Sequence, residues 1–398
     1  MHTNPVIEML GRPLRLAVIG GGPGSFIGET HRSAARLDGR YELVAGVVSS
    51  NPDRSREAAA GMGIDPGRAY GEPMAMLDAE AARDDGADVV AIMTPNDTHH
   101  AYALAALERG FDVICDKPMT NTLGEALDIV RRVEESGLIF CLTHNYTGYP
   151  MVRQARALVE EGHLGEIRLV QVEYVQGGKA DEVDPDPGDR LPWRYDPVRG
   201  GPSLVMGDIG THAHNLARFI TGLEVAEVAA EIGHVIPQRP VDDYGAAMLR
   251  FDNGARGMLW VTQTAAGVEN GLRIQVSGNK GTIEWHQERP TRLIFKPLEG
   301  PMRTYTPNGP GALPASQRAC RIVAGHPEGF PEAFANIYSD AAEAIAARRS
   351  GGTADGLAMQ FPNERDGAIG VKFVEAALES SKANGAWTSA LLTLDGEV

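Results

Sequence analysis

The chain has few cysteines, and none of them are spaced so as to act together. Three occur in 398 residues, at Cys115, Cys141 and Cys320, and no two form a Cys-x-x-Cys pair. An odd number of widely separated cysteines does not point to a disulfide framework. We therefore predict three reduced, buried thiols in a cytosolic protein.

Positive charge and long apolar runs are also scarce. The 37 Lys and Arg residues are outnumbered by 53 Asp and Glu, which gives a net charge of −16. Nucleic acids and anionic membranes would repel such a protein, although acidity alone is also common among soluble proteins. There is no apolar run of about 18 residues and no basic segment followed by a long apolar one at the N-terminus. These absences predict a cytoplasmic protein with neither nucleic acid nor membrane as a partner.

The sequence has no internal repeat, but its pattern changes once along the chain. Apolar strands alternate with helices as far as Leu142, which is typical of a doubly wound parallel sheet. Beyond that point several strands follow one another, and the turns at 251–255 and 277–281 are typical of antiparallel hairpins. We predict an α/β protein with a Rossmann domain over 1–145. A C-terminal α/β domain over 146–398 is expected to carry a large, open, mostly antiparallel sheet, and its last helices can pack back on the first domain.

A glycine-rich turn after the first strand is the clearest motif. The apolar run Leu14–Ile19 ends at Gly20, and Gly22 follows before a predicted helix. Glycines here allow a tight turn and a close backbone approach to a pyrophosphate, which the helix N-terminus attracts. Ser25 holds the last position of the Gly-x-Gly-x-x-Gly fingerprint, small but not glycine. The cofactor-binding residues predicted from this turn are Gly20, Gly22, Gly24, Ser25, Phe26 and Ile27.

The second strand ends without the acidic residue that often binds a ribose 2′-hydroxyl. Ser49 and Ser50 stand there instead, and serine can hydrogen-bond either a hydroxyl or a phosphate. Arg54 is close enough in sequence to neutralise a 2′-phosphate, or it is a solvated helix residue. The pattern predicts NAD as the cofactor without excluding NADP.

Polar residues also follow the third and fourth strands. Thr94, Pro95 and Asn96 form the first such turn, and His99 follows at a helix start. We predict that Asn96 and His99 lie near the ribose or nicotinamide, with an ordinary surface role as the alternative for His99. Asp116 and Lys117 end the next strand and, with Thr94 and Pro95, are predicted to bind the cofactor. A lysine at this place can also reach a bound substrate, or it can simply face solvent.

A second cluster lies beyond the Rossmann segment. Asp208 and His212 are four residues apart, so they share one side of a helix, and imidazole titrates near neutral pH. We predict His212 as a general base, against the alternative of an N-capping aspartate and a buried histidine. The spacing could also hold a metal, but no further ligand stands at a suitable distance, so none is expected. The remaining predicted substrate-binding residues are His144, Tyr146, Trp193 and Arg194, with Trp193 and Arg194 suited to a sugar or to simple packing.

With these motifs in place, the chain resembles the Gfo/Idh/MocA oxidoreductases over nearly its whole length. The resemblance is carried by the glycine-rich turn, Thr94–Asn96, Asp116-Lys117-Pro118 and Asp208-x-x-x-His212. The family usually has Glu-Lys-Pro, so Asp116 is a shorter carboxylate at that position. The turn from Gly20, Trp193-Arg194 and the segment 325–329 most resemble the branch containing levoglucosan dehydrogenase and inositol dehydrogenase.

This resemblance implies a function and a role for each residue. It implies NAD(P)-dependent oxidation of a ring hydroxyl of a sugar, anhydrosugar or polyol, in a homodimer or homotetramer formed through the C-terminal sheet. It further implies that Lys117 holds the reacting oxygen, His212 exchanges its proton and Asp208 orients the site.

Two other functions are compatible with the same scaffold. One is a glycoside hydrolase that keeps NAD bound, oxidises its substrate transiently and eliminates the aglycone. The other is a non-catalytic nucleotide sensor, but such a protein would be expected to lack Lys117 or His212, and both are present.

Overall fold

The computed structural model describes residues 4–181, 192–237 and 239–394. These residues form two compact units. The first contains residues up to 120 together with 124–148 and 330–367, and the second contains 121–123, 149–329 and the residues from 368 onward. The first unit therefore includes a segment that lies far outside the range 1–145 expected from the sequence.

The strands of the described chain are β1 (Leu14–Gly20), β2 (Tyr41–Val47), β3 (Val89–Met93), β4 (Asp112–Cys115), β5 (Phe140–Leu142), β6 (Ile167–Val175), β7 (Val225–Gly233), β8 (Tyr244–Phe251), β9 (Arg256–Thr262), β10 (Gly271–Gly278), β11 (Gly281–His286), β12 (Leu293–Pro297), β13 (Arg303–Tyr305) and β14 (Thr388–Ser389). The α-helices are α1 (Pro5–Leu10), α2 (Phe26–Leu37), α3 (Pro52–Gly61), α4 (Pro73–Ala81), α5 (His99–Glu108), α6 (Leu123–Ser136), α7 (Pro150–Glu160), α8 (Thr211–Thr221), α9 (Pro314–Arg318), α10 (Phe330–Ser350) and α11 (Glu364–Lys382).

The first unit is built on a five-stranded parallel sheet in the order β2-β1-β3-β4-β5. Every residue of β3, β4 and β5 is buried, as expected for strands whose two faces are both covered. The chain leaves β1 toward β2 on one side and resumes with β3 on the other, so the strand order reverses beside β1. This arrangement confirms the predicted Rossmann-type sheet.

Helix α10 completes the core of the first unit. Its residues from Ala333 to Ala347 are all buried, and its apolar side chains belong to the same hydrophobic cluster as residues of β1 and β3. Polar contacts fix its position. The Tyr41 hydroxyl donates to the Tyr338 carbonyl at 2.8 Å, and Arg348 pairs with Asp112 at 2.7 Å. A helix that is buried all round belongs inside a core, and here that core is assembled from segments far apart in sequence.

The second unit carries a nine-stranded sheet in the order β13-β12-β11-β10-β6-β9-β8-β7-β14. The predicted hairpins at 251–255 and 277–281 join β8 to β9 and β10 to β11, both antiparallel. Strands β6 and β9 pair in parallel at the centre. The open, mostly antiparallel sheet is therefore confirmed, although β13 and β14 were not predicted.

One surface of this sheet leaves large apolar side chains exposed. Alternate residues of β8 and β9 are buried, and Met248, Met258 and Trp260 point to the other side, joined by Leu169 of β6. We call these four residues the open sheet face. Met258 lies opposite Met248 on β8 and Gln171 on β6, so it is central to this face. A groove of about 610 Å³ runs along it.

Two helix starts have a clear local form. Helix α1 begins at Pro5 because the Asn4 side chain accepts from the Val6 amide at 3.1 Å. Helix α8 is preceded by a π-helical turn over Met206–Gly210. No helix among the described residues has the length and apolar character needed to span a bilayer.

Replacing Glu364 with glutamine is expected to stabilise the protein in alkaline more than in acidic buffer. Burial raises the pKa of Glu364 to about 7, above its ordinary value of 4.5, so folding penalises the charged form. The resulting loss of unfolding free energy grows as the pH rises from 4.5 to 7 and stays constant above pH 7. We expect the unfolding free energy of Glu364→Gln to exceed the wild-type value by up to about 3 kcal/mol at pH 8 and by much less at pH 5.

Urea unfolding at the two pH values measures this difference. Glu379→Gln, at an exposed position of the same helix α11, is the matched control. An equal gain at both pH values would contradict the prediction.

Candidate active site

The predicted cofactor-binding residues meet at one edge of the parallel sheet. Strands β1 to β4 end at Gly20, Val47, Met93 and Cys115, and parallel strands share the edge at which they end. The strand order reverses beside β1, and crevices at such reversals are where α/β sheets bind nucleotides. The turns that follow these strands therefore lie at one edge of the sheet.

The glycine-rich turn leaves no room for a side chain at Gly20 or Gly22. Gly20 has φ +89°, and a Cβ placed there would lie 2.6 Å from the Met93 carbonyl oxygen. A Cβ at Gly22 would lie 2.2 Å from the carbonyl oxygen of Val48. Beyond the turn, α2 starts at Phe26, so the N–H groups of Phe26 and Ile27 have no acceptor within the helix. The space in this turn exists only because glycines line it, and the N–H groups that follow have no acceptor within the helix. This combination forms a cradle that fits a pyrophosphate.

The close packing of the helix against this turn comes from Gly28 rather than Ser25. A Cβ at Gly28 would lie 2.2 Å from the Gly21 carbonyl oxygen, whereas the Ser25 hydroxyl caps α2 by accepting from the Gly28 amide at 3.1 Å. Sequence reasoning missed Gly28. Arg32, one helical turn later, is buried and donates to the Gly21 carbonyl, so Gly28 and Arg32 form the face of α2 against the turn.

The residues predicted to bind the ribose follow β2. The Ser49 hydroxyl accepts from the Asn51 amide at 3.1 Å, and Ser50 is exposed. Arg54 is also exposed, on the first turn of α3. Because the Val48 carbonyl packs against Gly22, the two serines are held next to the glycine-rich turn.

The turn after β3 is tied to the turn after β4 by His99. Asn96 is buried in a short 3₁₀ helix over Asn96–Thr98, which follows Thr94 and Pro95. His99 is buried too, with Nε2 2.9 Å from the Thr94 carbonyl oxygen and Nδ1 2.9 Å from that of Pro118. His99 is therefore not a surface residue, since both of its ring nitrogens are engaged by backbone.

Asp116 and Lys117 come directly after β4, with a cis peptide bond between Lys117 and Pro118. The Asp116 carboxylate accepts from the Thr143 hydroxyl at 2.8 Å and lies 3.9 Å from Nε2 of the buried His31. Burial alone would raise the pKa of Asp116, but the contact with His31 and the charges of His31, Lys117 and His99 outweigh it and hold this pKa far below its usual value. Asp116 is thus a permanent anion beside the Lys117 ammonium.

His144 and Tyr146 follow β5 at the same edge. Both are buried, and Tyr146 belongs to a 3₁₀ helix over Asn145–Gly148. The Tyr146 ring lies 6.4 Å from the ring of Phe330 at the start of α10. Their binding roles remain predictions.

In the second unit, Asp208 and His212 lie on continuous helix but not on a regular α-helix. Asp208 is in the π-helical turn and His212 in the first turn of α8, so Asp208 is inside the helical segment and is not an N-cap. Single π turns often occur at functional sites. His212 is 7% exposed and its ring lies 6.2 Å from that of Tyr174. His214, by contrast, stacks on Phe373 at 4.1 Å, so it faces elsewhere.

Trp193 and Arg194 form a short 3₁₀ helix with Tyr195. The Arg194 guanidinium carbon lies 4.3 Å from the centre of the Trp193 ring, a cation–π contact. Residues 182–191 of the preceding loop lie outside the described residues. Within the described ranges, no three His, Cys, Asp or Glu side chains are grouped so as to hold a metal ion.

Gly22→Ala is expected to weaken dinucleotide binding at least about tenfold, or about 1.4 kcal/mol. The added methyl would meet the Val48 carbonyl, which belongs to the backbone, so the turn itself must move away from the phosphates. Titration of NADH fluorescence measures the affinity. Gly61→Ala is the matched control, since a Cβ there meets nothing within 4 Å. Unchanged affinity in a folded Gly22→Ala protein would refute the cradle.

Sequence profiles of known families match both units. The profile described as "Oxidoreductase family, NAD-binding Rossmann fold" matches residues 14–144. The profile described as "GFO/IDH/MocA C-terminal domain" matches residues 152–284. The matches cover the glycine-rich turn, Lys117, Asp208 and His212.

Proteins similar to this chain include two of known structure and a named dehydrogenase. The crystal structure of an oxidoreductase from Sinorhizobium meliloti is 46% identical with a TM-score of 0.85, over 94% of this chain and 99% of that chain. That of an inositol dehydrogenase homolog from Azotobacter vinelandii, complexed with NAD⁺, is 34% identical with a TM-score of 0.89, over 95% and 97%. Levoglucosan dehydrogenase from Pseudarthrobacter phenanthrenivorans is 30% identical over 70% of this chain and 75% of its own length.

Proposed function

Because the chain belongs to the Gfo/Idh/MocA family of NAD-binding oxidoreductases, we propose that it oxidises a secondary ring hydroxyl of a sugar, anhydrosugar or cyclic polyol to a ketone. The observation that best supports this reaction is the pair Asp116 and Lys117 at the edge of the sheet that also carries the glycine-rich turn. A lysine at this edge is next to the expected nucleotide, which is where a reacting hydroxyl must be bound.

Bound NAD would accept the hydride that leaves the carbinol carbon. The residues of the protein would remove the hydroxyl proton and stabilise the charge on the oxygen. We propose that the Lys117 ammonium stabilises negative charge on the reacting oxygen, with the Asp116 carboxylate as a fixed negative charge next to it in the chain. His212 is proposed to take the hydroxyl proton, and Asp208, one helical turn earlier, to orient the imidazole and stabilise its cation.

The substrate class is inferred from the relatives and from one surface feature. The inositol dehydrogenase homolog and levoglucosan dehydrogenase are named for cyclic polyhydroxy compounds. The stacked Trp193 and Arg194 offer an apolar ring and hydrogen-bond donors together, which suits a sugar. The NAD-recycling hydrolase is not favoured, since the relatives named here for an activity are dehydrogenases.

The first experiment is to follow absorbance at 340 nm with purified protein and NAD or NADP. The panel should contain inositols, levoglucosan, common pyranoses and aryl glycosides. Growth of reduced cofactor in step with one cyclic polyol or sugar is the expected result. Release of an aglycone without net cofactor reduction would overturn the proposal in favour of the hydrolase.

We also propose that the protein is a cytoplasmic homodimer or homotetramer held together through the open sheet face. Exposed Leu169, Met248, Met258 and Trp260 support an interface, because contiguous apolar side chains are costly to leave in water. The three buried, free cysteines are compatible with a reducing compartment.

Met258→Asp is expected to dissociate this oligomer. Met258 is central to the open sheet face, and a carboxylate there would lose its water without gaining a partner. Size-exclusion chromatography with light scattering gives the mass. Leu298→Asp, which also places a charge at an exposed apolar position but off this face, should leave the mass unchanged. An unaltered mass for Met258→Asp would refute the interface.

A further inference from the structure

A buried glutamine lies directly against Asp208. Gln263 is 2% exposed and follows the end of β9. Its Nε2 donates to the Asp208 Oδ2 at 2.9 Å and to the Gln176 Oε1 at 3.1 Å. Both hydrogens of the amide nitrogen are therefore used, one of them on the proposed orienting carboxylate.

The hydrogen bonds continue from Gln176 toward His212. The Gln176 Nε2 donates to the Asn270 Oδ1 at 2.8 Å, and the Tyr174 hydroxyl donates to the same oxygen at 2.7 Å. The Tyr174 ring then lies edge-on to the His212 ring at 6.2 Å. A single chain of side chains thus links Asp208 to the ring packed against His212.

Asp208 determines which group donates in each hydrogen bond of this series. A carboxylate only accepts, so the nitrogen of Gln263 must face it, and the remaining hydrogen must go to the oxygen of Gln176. Gln176 then has only its nitrogen left to donate to Asn270. Of the amide donors along this path, one hydrogen of the Gln263 amide points at Asp208, and this hydrogen bond favours the ionised form of the carboxylate.

The oxygen of the Gln263 amide is not stabilised by this arrangement. Its Oε1 is buried and accepts no hydrogen bond within the described residues. An apolar side chain of the same size would avoid this unsatisfied oxygen. The position is thus explained by what the nitrogen does for Asp208 rather than by stability.

We propose that Gln263 is a positioning residue, which holds Asp208 ionised and fixes one of its oxygens so that the carboxylate can orient His212. This inference rests on the proposed function of Asp208 and His212. The titratable groups facing the cluster are Asp208 itself, His212 on α8, Tyr174 on β6 and Glu288, whose carboxylate accepts from the Asn270 backbone amide at 2.9 Å. Lys179 lies beside Gln263, since its backbone amide donates to the Gln263 carbonyl at 2.9 Å. Strands β9 and β10 contribute the uncharged Gln263 and Asn270, and nearby Asp243 is paired with Arg239 at 3.0 Å.

Gln263→Met tests the proposal by removing the donor at nearly constant size. We expect kcat to fall about ten- to hundredfold, the effect of one hydrogen bond to a charged group, with KM for NAD and the melting temperature unchanged. Gln176→Met is the matched control, because it breaks the next bond but leaves Gln263 on Asp208, and its loss should be much smaller. Wild-type kcat in Gln263→Met, or an equal loss in Gln176→Met, would overturn the proposal.

The pH dependence of kcat in Gln263→Glu distinguishes a positioning role from a purely structural one. An ionised glutamate repels Asp208, but a protonated one donates to it, so kcat relative to wild type should rise as the pH falls from 9 to 6. A ratio independent of pH would overturn the proposal.

A measurement without substrate separates this inference from the proposed function. The NMR signal of the His212 ring, followed from pH 5 to 9, should titrate with a different midpoint in Gln263→Met. Coincident curves would overturn the role of Gln263 even in a fully active enzyme. A shifted midpoint in a protein that oxidises nothing on the substrate panel would instead count against the proposed function alone.

Discussion

Lys117→Met is expected to lower kcat about a hundredfold or more while NAD still binds. Methionine retains the length of the side chain but removes the ammonium that we propose stabilises the reacting oxygen. Lys117 follows the buried strand β4 and is itself only half-buried, so the substitution does not disturb the core. The glycine-rich turn belongs to a different strand, so the cofactor affinity should stay within about twofold of wild type, under 0.5 kcal/mol.

Steady-state kinetics with the substrate found on the panel measures kcat, and NADH fluorescence measures binding. Lys382→Met removes the exposed lysine at the end of α11 and serves as the control for loss of one positive charge. Turnover at the wild-type rate in Lys117→Met would end the assignment of the reaction to this residue.

His212→Asn is expected to reduce kcat by about 10²–10⁴, the usual contribution of a positioned general base. Asparagine preserves a polar side chain of similar shape but takes up no proton near neutral pH. The loss should be smaller in alkaline solution, because hydroxide can remove the substrate proton when the protein does not. The pH profile of kcat/KM should therefore lose its acidic limb and rise steadily.

Profiles measured from pH 6 to 10 on both proteins make this comparison. The exposed His163→Asn, which removes a histidine paired with Glu161 at the surface, is the control. A variant with reduced kcat but an unchanged acidic limb would mean that another group is the base.

The edge of the parallel sheet was predictable because it depends on local sequence. Buried parallel strands are short apolar runs, and the residues after each run must lie at one edge, as Gly20, Thr94 and Asp116 do. Likewise, the turn residues Asp252–Gly254 are sufficient to predict the β8–β9 hairpin.

The features that escaped prediction depend on contacts across long stretches of sequence. Gly28 is required because the Gly21 carbonyl is against it, and only the folded turn reveals that approach. Gln263 lies 55 residues from Asp208, so no spacing rule connects them. The π turn over Met206–Gly210, which precedes α8, has no distinct sequence pattern of its own.

The placement of α10 in the core of the first unit has a consequence for biosynthesis. A ribosome releases β1 to β5 early, but the helix that covers their apolar cluster emerges only after β13. Until then the nascent sheet exposes surface that native packing would bury, and such surface is prone to aggregation or chaperone capture. The first unit, although its sheet is made first, therefore cannot finish folding until most of the second unit has been synthesised.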